Sequence, residues 1–357
     1  MLLKYFKGSM IFTVICAIAA FFIGYASGGV AMGLNYVFIA LMLGILEISL
    51  SFDNAVVNAK ILSTMDVFWR KMFVTVGMII AVFGMRVVFP LIIVWVVGSY
   101  GILDTLKLTW QNPAEFQKIL IDQHIVVAGF GGAFLLMVFA KFFFDQEKDV
   151  HWIAIIEKPM ATIGKMEAVW AAFSLALVYG TSKLIAVSTD AHIAVQSGAF
   201  FTAGVMGILV YILVDGISGL LESEEDNIVH SSGPNIVQKG IATAGLGTFM
   251  YLEVLDASFS FDGVIGAFAI TNNLFIIALG LGIGAMFVRS MTLYLTDSGT
   301  LSKYIYLEHG AFWAIGALAS IMFMSAIGIE IPEIISGLVG VLFVTIGFIS
   351  SKNKNIQ

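Results

Sequence analysis

The chain has 357 residues, of which 59% are hydrophobic and only 12% are charged; its formal net charge is −6 and its mean hydropathy is +0.98. A soluble domain carries roughly 25% charged residues, so a water-soluble globule is excluded, because its surface would be one continuous apolar patch. The small and scattered charge also excludes nucleic acid as a partner, since nucleic-acid binders carry clustered Lys and Arg. The solvent of this chain is therefore the lipid bilayer.

Ten apolar runs follow one another along the chain, and each is long enough for the helix of about 20 residues that crosses the hydrocarbon core. Alternating ten-residue segments, typical of outer-membrane barrels, are absent from the sequence. We therefore predict an all-α polytopic membrane protein with about ten transmembrane helices. The runs cover residues 10–28, 36–61, 72–97, 125–144, 167–189, 200–221, 240–270, 273–295, 310–328 and 333–350.

The basic residues predict the orientation, because cytoplasmic loops carry an excess of Lys and Arg. If both termini are inside, only Lys107 and Lys118 of the 18 basic residues fall outside, and Arg86, Lys183 and Arg289 fall within spans. The other 13 then lie on the cytoplasmic side. We predict an integral protein of the plasma membrane, the inner membrane of a bacterium, with both termini in the cytoplasm.

Three connections between runs are longer than a turn, and they cover residues 98–124, 145–166 and 222–239. The first is external in this orientation and is predicted to be a short surface segment. The third contains an acidic run and resembles a linker. The predicted organisation therefore has three parts. Residues 1–221 hold the first repeat, spans 1 to 5, and span 6, which begins the second repeat. Residues 222–239 form an acidic cytoplasmic loop, and residues 240–357 hold the rest of the second repeat, spans 7 to 10.

An internal repeat relates the second run to the seventh. Residues 47–54 read EISLSFDN and residues 256–263 read DASFSFDG, with four of eight positions identical and two acids six residues apart in each. Arg86 in the third run matches Arg289 in the eighth. Because a five-span unit has an odd number of crossings, the second copy enters the bilayer from the opposite side. Two inverted-topology five-helix repeats are typical of transporters, whose sites lie near the midplane between the repeats.

Five acids lie inside the predicted spans, although a carboxylate at the bilayer centre costs about 2.5–3.5 kcal/mol. They outnumber the basic residues there, so some negative charge is left for protons or bound cations to neutralise. The structural alternative is that Asp53 and Asp262 only neutralise Arg86 and Arg289. Serine hydroxyls and the amides of two asparagines add hard oxygens, which suit Mg, Ca and Mn. The acids and amides in question are Glu47, Asp53, Glu253, Asp256, Asp262, Asn54 and Asn58.

Helix geometry limits how the acids of the first motif act together. On an ideal helix Glu47 and Asp53 are roughly 120° apart around the axis and about 9 Å apart along it. Both therefore reach one ion only if the helix unwinds at the serines or contains a π-type bulge. Otherwise each acid interacts with a different neighbouring group.

Both acidic motifs resemble the two signatures of the TerC family of integral membrane proteins, which belongs to the LysE transporter superfamily. The chain departs from many members after the second motif, where Gly263-Val264-Ile265 replaces Ser-Ile-Pro. The resemblance implies efflux of manganese and a metal site built from the acids with Asn54 as a supporting oxygen. The motifs are Glu47-x5-Asp53-Asn54 and Glu253-x2-Asp256-x2-Phe259-x2-Asp262.

The leading hypothesis is a secondary transporter, and not an enzyme, that exports a hard divalent cation and holds no permanently bound cofactor. Manganese is the preferred cation, calcium or magnesium are alternatives, and protons are the candidate coupling ion. Arg86 and Arg289 would hold the acids or replace the ion when the site is empty. Two rival hypotheses remain open: a membrane-embedded metal-dependent enzyme acting on lipid, and a structural partner that assists metalation of secreted proteins.

Overall fold

The structure, a computed structural model, describes residues 2–98, 101–166, 168–231, 234–329 and 331–354. Within its helices, the side chains of residues 2–3, 96–98, 221–231, 234–244, 261–262, 265, 269, 302 and 333 lie outside that description. Every regular element in the described residues is helical. This confirms the all-α prediction, and it has a physical reason: helices satisfy their own backbone hydrogen bonds in lipid.

Within the described residues, the first half of the chain forms nine α-helices and two π-helical stretches. A continuous span, Val67–Trp95, passes through α3, two π-helical stretches at Phe73–Gly77 and Ile80–Val88, and most of α4. The helices are α1 (Leu2–Leu50), α2 (Phe52–Thr64), α3 (Val67–Met72), α4 (Phe89–Gly98), α5 (Ile102–Gln111), α6 (Pro113–Asp122), α7 (His124–Phe143), α8 (Ala154–Ile163) and α9 (Val169–Ala186).

The described part of the second half forms seven helices. Over both halves, eight helices of the described chain are long and apolar enough to cross a membrane. The protein is therefore polytopic and integral to a membrane, while the total of ten spans stays a prediction. The helices of this half are α10 (Ala191–Ala194), α11 (Ser197–Ser231), α12 (Pro234–Ile270), α13 (Leu274–Asp297), α14 (Thr300–Lys303), α15 (Leu307–Ala326) and α16 (Glu333–Lys354).

Helix α1 reverses direction at a glycine pair. Gly29 has φ of 74°, which glycine adopts at no steric cost because it has no Cβ. Beside the turn, a Cβ on Gly24 would lie only 2.5 Å from the Met32 carbonyl oxygen. Residues 2–27 and 30–50 are thus two antiparallel arms, which we call the first and second arms; they match the first two predicted runs, and α2 continues the second.

Helix α13 packs against both arms of α1. The Ser9 hydroxyl of the first arm donates to the Met286 carbonyl at 2.8 Å and lies 2.7 Å from the Ser290 hydroxyl. On the second arm, a Cβ on Gly280 would lie 2.6 Å from Leu43 Cβ. Small residues let membrane helices approach this closely, so the two arms and α13 form one side of the bundle.

The largest buried cluster joins α7, α11 and α15 on the other side of the bundle. Phe134, Phe200 and Ile315 are each fully buried in it. Helix α7 is apolar around its whole circumference, which is typical of a helix enclosed by others.

The connection at residues 98–124 departs from the predicted surface segment. Its helix α6 buries Phe116 and Leu120 against Leu43 and Phe268, and the Gln117 amide donates to the Phe268 carbonyl at 2.6 Å. An i, i+4 spacing places both apolar side chains on one face of a helix, and this face inserts into the bundle. The prediction was wrong because it rested on the overall composition of the loop and not on its periodicity.

The predicted acidic loop, residues 222–239, falls mostly on the end of α11 and the start of α12. Its side chains lie outside the described residues. The division of the chain at this segment stays a prediction.

Candidate functional site

A small polar cavity of about 10 Å³ lies among the second arm, α2, α12, α13 and the Val67–Trp95 span. Its volume has room for about one water-sized species. Six of the nine acids, amides and arginines that the sequence singled out line it, and they come from both halves of the chain. The lining consists of Glu47, Ser51, Asn54, Asn58, Phe73, Met78, Ala81, Arg86, Asp256, Ala285, Val288, Arg289 and Thr292.

Glu47 and Arg86 form a tight buried pair in the wall of this cavity. Arg86 Nη2 donates to Glu47 Oε1 at 2.5 Å, and both side chains are 2% exposed. The Ser51 hydroxyl donates to the same oxygen at 3.1 Å, and Arg86 Nη1 donates to the Ala81 carbonyl. Arg86 lies on the π-helical stretch Ile80–Val88, a rare backbone form that is frequent at functional sites.

Glu253 and Arg289 form the corresponding pair of the second half, with looser geometry. Arg289 Nη2 lies 3.6 Å from Glu253 Oε1, and both carboxylate oxygens are buried with no hydrogen-bond partner. The guanidinium carbon of Arg289 lies 4.0 Å from the centre of the Phe73 ring, within cation–π range. Gly77 leaves room for this pair, because a Cβ there would overlap Glu253 Oε1.

A third contact joins the two acidic motifs across the cavity. Asn54 Nδ2 donates to Asp256 Oδ1 at 3.0 Å, and Asn58 Nδ2 approaches the same oxygen at 3.4 Å. The Oδ1 atoms of both asparagines are buried and have no hydrogen-bond partner. The predicted ligand set omitted Asn58, although its i, i+4 spacing from Asn54 already placed both amides on one helix face.

The contacts also give the relative direction of the two motifs. Asn54 faces Asp256, whereas Glu47 Oε2 lies 3.0 Å from the position that a Cβ on Gly263 would take. The earlier residue of the first motif thus contacts the later residue of the second motif, and the reverse. The two motifs are therefore antiparallel. Inverted repeats require this arrangement, although the equivalence of the two five-span halves stays a prediction.

Asp53 does not line the cavity. Asp53 is buried but faces α16, where a Cβ on Gly340 would lie 3.5 Å from its Oδ1, and that oxygen has no hydrogen-bond partner. Asp262 belongs to α12, but its side chain lies outside the described residues. In the first motif each acid thus meets a different neighbour, the third of the arrangements considered from helix geometry.

The second run leaves regular helix between its two acids at one residue, Ser51, which has φ of −105° and ψ of 19°. The Ser51 and Ala55 amides still donate to the Glu47 and Ser51 carbonyls at 2.9 and 3.2 Å, so the break is confined to that residue. The π-helical turns lie instead in the Val67–Trp95 span, on the opposite wall of the cavity.

The charges that line the cavity are balanced in number, since Glu47 and Asp256 face Arg86 and Arg289. Glu253, beside the cavity, adds a third acid to the group through its contact with Arg289. The pairing of Asp53 with Arg86 that the structural alternative requires is not observed. Within the described part of the chain, no three Asp, Glu, His or Cys side chains converge closely enough to hold a metal ion by themselves. Any cation in this cavity would depend on amide and hydroxyl oxygens as well as on carboxylates.

Comparison with known proteins gives one match. A family described as "Protein of unknown function (DUF475)" matches residues 52–357, which include Asp53, Arg86 and the whole second motif but not Glu47. No curated protein and no solved structure matches the chain. Because the family match spans more than half of the sequence, the chain belongs to the DUF475 family.

Proposed function

We propose that this protein is a secondary transporter that exports a hard divalent cation, with manganese as the preferred substrate and calcium or magnesium as alternatives. One observation carries the proposal: a small polar cavity of about 10 Å³ lies between two antiparallel acidic motifs inside a membrane-spanning bundle. Such a cavity has room for a dehydrated ion but not for an organic substrate. The resemblance of the motifs to those of the TerC family supports manganese.

The donor atoms around the cavity suit a hard cation. Asp256 and Glu47 offer carboxylate oxygens, and the unpartnered Oδ1 atoms of Asn54 and Asn58 offer amide oxygens. Mixed carboxylate and amide oxygens are the ligands of Mg, Ca and Mn, whereas Zn and Cu prefer nitrogen and sulfur. The protein therefore acts as a transporter and not as an enzyme in this proposal.

The two arginines explain how acids remain in the bundle before the ion arrives. Removing one partner from a buried ion pair costs about 3–5 kcal/mol, so a carboxylate of the site keeps its guanidinium partner until another cation replaces it. Entry of the ion and withdrawal of a guanidinium group are then one coupled exchange. Protons are the proposed coupling ion, and the two inverted repeats would move against each other around the site.

Flux into proteoliposomes tests the proposal directly. We expect the full-length protein to move Mn²⁺ faster than Ca²⁺ or Mg²⁺ and to respond to an imposed pH gradient. Asp256→Asn should abolish the flux, because it removes a carboxylate that lines the cavity, whereas Asp104→Asn, at an exposed position outside the spans, should leave it unchanged. No flux of any of the three cations above that of empty liposomes would overturn the proposal.

The same preparation separates the two rival hypotheses. A lipid-modifying enzyme would change the chemical composition of the liposome lipids in the presence of metal, and mass spectrometry of the lipids would detect this. A protein that only assists metalation would give no flux above that of empty liposomes and no lipid product. Either result would replace transport as the function.

A further inference from the structure

Helix α8 lies outside the spans and exposes large apolar side chains. Ile155 is 88% exposed and Met166, just beyond the helix, is 66% exposed, with Ile163 also exposed. Lys158 and Lys165 lie exposed between them. Apolar residues interleaved with lysines are typical of helices that lie in the interface of a membrane.

A buried carboxylate fixes which face of α8 points outward. Glu157 is fully buried and accepts hydrogen bonds at 3.0 to 3.1 Å from Lys148 Nζ, the Trp152 and Ile153 amides, and Trp313 Nε1. At about 100° per residue, Ile155 points roughly 200° away from Glu157. The apolar side chains of α8 therefore cannot turn into the protein without breaking this cluster.

The contacts of α8 place it at the depth of the lipid boundary. The Gln146 amide donates to the Gly164 carbonyl at 2.8 Å, next to Phe144, where the span α7 ends. Trp313 lies six residues into the span α15, about 9 Å from its start. Helix α8 therefore lies against the ends of two membrane-spanning helices.

Aromatic residues around α8 also indicate that it lies at the lipid boundary. Trp152 and Tyr306 stack with ring centres 6.5 Å apart, and Trp313 packs on Phe143 at 4.8 Å. Trp and Tyr are enriched where a membrane protein crosses from hydrocarbon to headgroups.

We infer that α8 is an interfacial helix that binds anionic lipid: Ile155, Ile163 and Met166 insert among acyl chains, and Lys158 and Lys165 contact lipid phosphates. Lipid is the occupant because the helix continues the lipid-facing surface of the spans and because its exposed charges are positive. Each lysine is expected to strengthen binding to an anionic leaflet about fivefold. This surface is separate from the cavity and does not depend on the transport proposal.

A fluorescent probe at Ile155 tests the inserted face. The full chain has one cysteine, Cys16, so Ile155→Cys in a Cys16→Ser background carries a single polarity-sensitive dye. In nanodiscs we expect the emission of this dye to be blue-shifted. Lipids that carry a spin label near the headgroup should quench it. The matched control is Glu147→Cys, an exposed position in the same connection, whose dye should emit as in water and be quenched by iodide.

Two results would overturn the interfacial assignment. Quenching of the dye at Ile155 by iodide would mean that the face is open to water. Blue-shifted emission that spin-labelled lipids do not quench would mean that protein, and not lipid, covers the face.

Charge reversal tests the choice of anionic lipid. Raising the phosphatidylglycerol content of the nanodiscs should increase the blue shift of the dye at Ile155. Adding Lys158→Glu and Lys165→Glu should remove this dependence, whereas Lys118→Glu, on the exposed face of α6, should retain it. An unchanged dependence in the double variant would overturn the recognition of anionic headgroups.

Discussion

The two carboxylate–arginine pairs share one chemistry but differ in geometry. Glu47 and Arg86 are 2.5 Å apart with a serine donating to the same oxygen, whereas Glu253 and Arg289 are 3.6 Å apart and both Glu253 oxygens have no hydrogen bond. A buried pair is stabilising only when its geometry is good and its remaining atoms are satisfied. The first pair is therefore a rigid part of the wall, and we expect the second to be the one that changes partner when an ion enters.

Removing the arginine of each pair should give the largest effect and the clearest contrast. We expect Arg86→Met to lower the free energy of unfolding by about 3–5 kcal/mol, because Glu47 is left as an unpaired buried charge. Arg289→Met should cost less than half as much, since Glu253 already lacks hydrogen bonds. Reversible unfolding in mixed micelles measures both values, and equal losses would show that the two pairs are energetically alike.

The room that Gly77 leaves for Glu253 gives the next largest effect. Gly77→Ala would force the Glu253 carboxylate to move, and such overpacking costs about 1–3 kcal/mol. We also expect at least a tenfold loss of Mn²⁺ flux. Gly84→Ala is the matched control in the same span, because its Cβ would meet only Ile80 Cγ2, at 3.6 Å. If Gly77→Ala transports normally, the position of Glu253 is not important for the ion.

The amide bridge between the motifs should give a smaller, graded effect. Asn54→Ala removes the 3.0 Å hydrogen bond to Asp256, and Asn58→Ala removes the weaker one at 3.4 Å. We expect losses of about 1–1.5 and 0.5 kcal/mol in stability, with the same order in the KM for Mn²⁺. The reverse order would mean that Asn58 is the more important ligand.

Glu157 is a fully satisfied carboxylate outside the spans, and it should give an effect in the same small range as the amide bridge. Burial alone would raise its pKa, but hydrogen bonds from the Ile153 amide, the Trp313 indole and Lys148 outweigh burial and hold the pKa of Glu157 below 4.5. A lowered pKa stabilises the fold above the unfolded-state value, and this contribution is lost as pH falls through the folded-state value.

The pH dependence of Glu157→Gln checks this sign. We expect the variant to be about 1 kcal/mol less stable than the parent at pH 7. The difference should shrink below about pH 4.5, as the parent carboxylate becomes protonated. A difference that stays constant down to pH 3 would contradict the lowered pKa.

Several features of the site followed from the sequence, and others did not. The five acids of both motifs and the two arginines stand out because charge inside an apolar span is costly, and four of these seven residues indeed line one cavity. The sequence did not predict which acid pairs with which arginine, since Arg86 pairs with Glu47 and not with Asp53. The burial of Phe116 and of Glu157 was also missed, because both lie in connections whose composition resembles that of exposed loops.

The sequence by itself determined that this protein is an all-α polytopic membrane protein with acids inside its spans, because hydropathy and the cost of buried charge act locally along the chain. Only the tertiary structure decided that Asp53 faces α16 while Glu47, Asn54 and Asp256 share a cavity with both arginines. Side-chain partners depend on how helices rotate and cross, and that is set by close contacts such as those at Gly77 and Gly280, which act between residues far apart in the chain.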